Sequence, residues 1–347
     1  MDRETVKWHE GIIMAPQIAG VHFLDAIPVN AHRLYVACQL DDVEPREVAH
    51  SRMCAFDAPN DREWFHHDVD MNVVSVATKI AHANDSDTSR RLVGLSKEGE
   101  VDIFAAGDYV WRTEKIRGAG ARSGGRGPMT HLRQVGSHLF ACGQNGQVYQ
   151  RLGDDQWGPI DADLYKPIAY TQGDPAALVE AMMNQRSLNC IDGTSESDLY
   201  VVGNDGFMAH FDGRRWQQLE LNSCEHLQWV RCVSSSEVWA CGYNGILLVG
   251  TAAAGFEKVG TVDGNFTWWS LAKHEDRIYL SATEGLFEYD GVQIKRTRTG
   301  LSPTHHDTLR VNVKDGALWS VGARDIVRRF EGRWERFGHI DNPRLKR

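Results

Sequence analysis

DLYVVGNDGFMAHFDGRRW, from Asp198 to Trp216, decides the fold because weaker copies of it recur down the chain. The copies are HLFACGQNGQVYQRLGDDQW (His138 to Trp157), EVWACGYNGILLVG (Glu237 to Gly250), RIYLSATEGLFEYDG (Arg277 to Gly291) and ALWSVGARDIVRRFEGRW (Ala317 to Trp334). Within the first, Leu199 to Val202 is apolar at every position, as in a strand packed on both faces. Gly203-Asn204-Asp205-Gly206 tolerates positive φ and reads as a hairpin turn. A third strand, Phe207 to Phe211, leads to a second turn at Asp212-Gly213, and Trp216 opens a fourth strand on the outer edge. Four short antiparallel strands of this kind make one propeller blade.

The turn residue advances from Gly206 to Gly245, Gly285 and Asp325, in steps of 39, 40 and 40 residues. Periods of roughly 40–50 residues mark propellers among repeat folds. Fainter copies at Leu92 to Ser96 with Val101 to Phe104, and at Leu34 to Cys38 with Met53 to Asp57, bring the number to seven. Innermost strands are expected at Val21 to Asp25, Val73 to Ala77, Met129 to Val135, Leu188 to Ile191, Leu227 to Val233, Phe266 to Ala272 and Leu309 to Val313. The expectation is an all-β, seven-bladed β-propeller of four-stranded antiparallel blades, with a short helical insertion. It forms one domain over 1–347, with blades near 21–67, 73–116, 129–161, 187–221, 227–259, 266–297 and 306–337 and the insertion at 162–186. A β-sandwich is the competing architecture; the ordered recurrence of one motif argues against it. Ring closure is open, because Thr5-Val6-Lys7-Trp8 and Arg333 to Phe337 compete for the last outer strand.

With 347 residues and 42% hydrophobic content the chain can bury a large core. No apolar run approaches the roughly 18 residues of a membrane span, and MDRETVKWHEG is charged where a signal peptide is apolar, so a cytoplasmic location is expected. Cys142 and Cys241 occupy the blade position where other copies carry Val202 and Val321, which marks them as small buried apolar residues. Cys38, Cys54, Cys190, Cys224 and Cys232 form no CxxC spacing. A formal charge of −9 disfavours general nucleic-acid binding.

Antiparallel parity puts the turn between the second and third strands on the same rim as the link to the next blade. The long segments Arg117 to Pro128, Ala162 to Arg186, Thr297 to His306 and Leu40 to Ser51 therefore decorate one face, where binding residues are expected. The loop IRGAGARSGGRGPM combines five glycines with Arg117, Arg122 and Arg126 and is suited to an anion or to a plain connector. Asp174-Pro175 caps a helix through Met183, and its Leu178 and Met182 pack on the rim or meet a partner. The turns add Asn145, Asn204, Asp205, Tyr243, Asn244, Glu284 and Arg324 to this face. Near the channel mouth stand His131, Arg133, Trp229 and the Trp268-Trp269 pair, either wedges between blades or a stacking platform. His66-His67 and His305-His306 are adjacent, so each pair points to opposite faces of a strand and does not chelate one ion. GxSxG, HExxH and P-loop signatures are missing; no catalytic residue, cofactor or metal is expected.

These repeats resemble those of the bacterial WD40/YVTN/BNR-like superfamily, including the photosystem II assembly-factor and sialidase-like groups. The resemblance runs from about Leu92 onward and implies the fold rather than the function. Sialidase activity is not implied, because the SxDxGxTW box is missing.

The function expected is that of a non-catalytic protein-binding propeller, monomeric alone, that holds another protein on its decorated face. Neutralising a cognate bacterial toxin by occluding it is one such role, and an acidic body would speed encounter with a basic toxin. The alternative is an enzyme or carbohydrate binder with its site at the channel mouth.

Overall fold

In the computed structural model the described residues are 19–59, 64–79, 91–105, 110–121, 126–165 and 186–343. The helix expected at Asp174 to Met183, with Leu178 and Met182, lies outside them, as do Arg122 and the strand expected at Thr5 to Trp8.

The deciding stretch folds as two paired strands, Asp198–Gly203 and Met208–Phe211. Asp205 and Gly206 take φ of 55° and 67° in the turn between them. Gly203 answers a different need. A Cβ there would stand 2.1 Å from the carbonyl oxygen of Ser187, and one on Gly242 in the next copy would stand 1.9 Å from that of His226. The first glycine of each copy thus admits the incoming link, and the turn is bolted to it: Asn204 N donates to Ser187 O (3.1 Å), and Tyr243 N to His226 O (2.9 Å).

Seven four-stranded antiparallel sheets, each of four consecutive strands, stand around a central axis. Their innermost strands are Val21–Pro28, Val73–Lys79, Met129–Val135, Leu188–Ser195, Leu227–Ser234, Ser270–His274 and Arg310–Lys314. The sixth begins later than the sequence suggests. Phe266 O instead accepts Gly245 N (2.7 Å) and Trp268 N donates to Gly242 O (3.0 Å), so this segment is tied to the turn of the fifth blade.

Hydrophobic side chains fill the spaces between neighbouring sheets. Between the first and seventh blades, where no covalent link runs among the described residues, Phe23, Phe56, Trp319 and Phe337 are buried together and Trp64 packs on them. Arg333–Gly338 supplies the outer strand of the seventh sheet. Among the described residues that strand is the fourth of its sheet. Fully burying each such ring contributes about 1.5–3 kcal/mol, which stands in for the missing covalent link.

Candidate partner-binding face

The rim that carries the repeat turns is a continuous stitched surface. Several turns bond to their own incoming link, and five bond to the segment entering the next blade: Met129 N donates to Lys97 O (2.8 Å), Gly146 N to Arg186 O (2.7 Å), Gly245 N to Phe266 O (2.7 Å), Asp307 N to Thr283 O (2.8 Å) and Phe23 N to Ala323 O (2.9 Å). Side chains chosen from the sequence divide into those that hold this rim and those that project from it.

Asn145, left-handed at φ 63°, donates from Nδ2 to Arg126 O (2.6 Å). Asn204 Oδ1 accepts from Asn189 (3.1 Å), and Asn244 Nδ2 donates to Glu225 (2.6 Å). Arg126 is engaged within the fold. Its guanidinium meets Asp161 at 2.6 Å and lies 3.7 Å over the centre of the Tyr165 ring, while Gly120 and Gly127 bridge the neck of its loop. That engagement removes one arm of the anion cradle expected there; Arg117 is exposed. Arg324 grips Asp41 with two bonds of 2.7 and 2.9 Å, joining the seventh blade to the long turn of the first.

Asp205 and Glu284 project into solvent. Tyr243 is half-buried, and beside it lie two residues that sequence reasoning did not place on this face, His226 and Trp269. The His226 and Tyr243 rings are 5.2 Å apart and the Tyr243 and Trp269 rings 6.2 Å, both edge-on. Trp269 Nε1 donates to Thr283 Oγ1 (3.2 Å), beside Glu284, and His226 Nδ1 accepts from Asp205 N (2.8 Å). The result is an aromatic cluster flanked by Asp205, Glu225 and Glu284. Aromatic side chains with a polar tip are enriched at protein interfaces. Alternation along the chain was the available signal: Trp268 points inward and is fully buried against Phe266 and Phe287, so Trp269 must point outward.

The channel is lined by side chains of the innermost strands that pair with one another. Arg133 Nε donates to Asp192 Oδ1 (2.8 Å), and Asp192 Oδ2 accepts from Cys232 N (3.0 Å). Arg231 reaches across to Asn312 (3.3 Å), whose Nδ2 donates to Ala26 O (3.0 Å). Asp25 accepts from Arg310 Nε (2.7 Å) and Val76 N (2.8 Å). Trp229 lies between blades with its ring against His131 (4.8 Å) and under Arg310 (5.0 Å). Burial, with Arg133 and Arg310 nearby, holds His131 well below the usual histidine range, and its Nδ1 accepts from Ile191 N (3.2 Å). Trp229 and Trp268 are therefore wedges: neither offers a ring face to a ligand.

The histidine pairs go their separate ways. His67 bonds Asp102 (3.2 Å), His305 bonds Asp325 and Ser320 (3.1 and 2.9 Å), and His306 bonds Arg296 (2.9 Å). Cys142 and Cys241 are buried as read, and burial pushes Cys142 up to about 12. Cys38 and Cys54 approach to 3.7 Å with His339 beside Cys54. Among the described residues all cysteines are free, and no helix is long and apolar enough to cross a membrane.

Fold and site together define a seven-bladed β-propeller with a channel lined by paired side chains and one stitched, decorated rim. YCF48 bound to D1 peptide superposes with TM-score 0.61 at 10% identity, over 94% of each chain. Virginiamycin B lyase from Staphylococcus aureus superposes with TM-score 0.58 at 7% identity, over 89% of this chain and 93% of that one. These likenesses establish the fold, which carries binding proteins and enzymes alike. In sequence the chain is similar to immune protein Tsi7 of Pseudomonas aeruginosa, 28% identical over 306 residues, or 87% of this chain and 92% of the relative. No protein-family model matches the chain.

Proposed function

We propose that the protein is an immunity protein, acting in the cytoplasm, that neutralises a cognate bacterial toxin by binding it on the stitched rim. The observation that carries this reading is the likeness to immune protein Tsi7 along nearly the full length of both chains. The rim supports it: the aromatic cluster of His226, Tyr243 and Trp269 is bordered by Asp205, Glu225 and Glu284. This pairing suits a partner that presents an apolar contact ringed by lysine and arginine, and the chain's formal charge of −9 speeds such an encounter. In the channel, Arg133 and Arg310 are already paired with Asp192 and Asp25, which favours the rim as the surface for recognition. The protein then acts by occlusion, without chemistry of its own, and its whole length forms one binding domain.

The test pairs this protein with the product of the reading frame next to its own. Co-expression should restore growth to cells that make that product, and purified components should form a 1:1 complex by calorimetry. Growth arrest undiminished by co-expression, together with no heat of binding, would refute the reading.

A further inference from the structure

Between the sixth and seventh blades the sheets splay apart into an open groove of about 1110 Å³. On the sixth blade Tyr279, Glu288 and Lys295 stand directly opposite one another on successive strands, so their side chains share one face. On the seventh, Arg329 and Trp334 form such a pair. The link from Thr297 to Thr304 borders one end.

The lining reverses the character of the molecule. Five cationic side chains and a single carboxylate line the groove, and although Lys295 pairs with Asp290 (2.8 Å) and Arg329 with Glu275 (3.0 Å) at its border, cations remain in excess, in a chain whose formal charge is −9. That carboxylate, Glu288, is shared between Arg277 at 2.6 Å and Lys295 at 4.0 Å. Arg298 is exposed and has no hydrogen bond or ion pair among the described residues. The lining also holds two aromatic residues, Tyr279 and Trp334, and Arg329 donates to the Tyr279 hydroxyl (3.3 Å).

We propose that this groove docks a short, extended, acidic segment of a partner protein. An extended chain directs alternate side chains to one side, so carboxylates at alternate positions would face the cations while the backbone rests against Trp334, which is half-buried. Guanidinium–carboxylate bonds are charge-assisted and among the stronger hydrogen bonds. A long polyanion fits less well, because the link from Thr297 to Thr304 borders one end of the groove and limits the length of chain that can lie in it. The proposal does not rest on the toxin reading.

The experiment measures fluorescence anisotropy of three labelled probes on the full chain: a decapeptide of alternating Glu and Thr, its Lys-Thr counterpart, and a ten-nucleotide oligothymidine. The acidic peptide should bind, and more weakly as salt rises. Arg298→Glu should weaken it about tenfold, the effect of losing one charge-assisted contact of about 1.4 kcal/mol. Lys295→Gln, which keeps the stem, should weaken it to a smaller degree. Arg214→Glu, on an exposed turn of the fourth blade, should change nothing. Three results would each overturn the proposal: no binding of the acidic peptide at millimolar concentration, binding unaltered in both groove variants, or tighter binding of oligothymidine. Because no toxin enters this assay, its failure leaves the immunity reading intact.

Discussion

Asp192→Ala should cost the protein about 3–5 kcal/mol of stability, the penalty for removing one partner of a buried ion pair. The carboxylate is 3% exposed and serves three neighbours: Arg133 Nε at 2.8 Å, Cys232 N at 3.0 Å and Arg231 Nη1 at 3.6 Å. Alanine strands one amide and leaves two guanidinium groups in the channel without their counter-charge. Unfolding entropy of about 2.1 cal/mol/K per residue gives roughly 0.7 kcal/mol/K for a chain of this length, so the midpoint should fall by about 4–7 °C. Differential scanning calorimetry reads the shift directly. The double variant Arg133→Met/Asp192→Leu should recover much of the loss, since replacing a buried pair by apolar side chains is often neutral. A fall below about 1 °C for Asp192→Ala would refute the reasoning. It would mean that water reaches the two arginines freely, and that the channel is open enough to take a small ligand.

Three further outcomes follow from the geometry. Trp269→Ala should weaken toxin binding by about 2 kcal/mol or more, roughly 30-fold in titration calorimetry, while leaving the melting temperature nearly unchanged. Gly242→Ala should destabilise by about 1–3 kcal/mol in urea unfolding, because its Cβ has only 1.9 Å to His226 O; Gly242 is extended, so the cause is space rather than dihedral strain. His131 is held neutral in the fold, its affinity for a proton depressed by burial and by Arg133 and Arg310. Its contribution is thus fully present above the unfolded value of about 6.5 and is lost as pH falls, by up to about 1.4 kcal/mol per pH unit. Denaturant unfolding at pH 7 and 5.5 should therefore show a shallower pH dependence in His131→Asn than in the wild type.

Much of the architecture was legible because the repeat encodes a local necessity. A glycine that admits a passing carbonyl and another that takes positive φ leave little choice of residue, so Gly203 and Gly206 recur as Gly242 and Gly245. The channel was not legible, because its partners are distant in sequence: Arg133 and Asp192 are 59 residues apart, Arg231 and Asn312 81, and Arg310 and Asp25 285. Sequence spacing gave no hint that Trp229 would be wedged between His131 and Arg310. On the rim, the turns themselves were foreseen, yet which side chains are free there depends on neighbours. Arg126 reads as a free cation until Asp161 and Tyr165 are seen to hold it. Trp269 reads as core until Trp268 is seen to fill that place.

The joint between the first and seventh blades has a consequence for synthesis and for handling. It is clasped by residues near the end of the described chain: Asn342 accepts Val21 N (2.8 Å), Arg328 donates to Ala31 O (3.0 Å), and His339 packs on Trp64 with rings 4.4 Å apart. A nascent chain therefore has six blades in hand before the clasp exists, and cannot lock the ring until those last residues emerge. Mechanical load should part the ring at this clasp first. A permuted chain with a linker across the clasp and new termini between two other blades would move that weak point to the new opening.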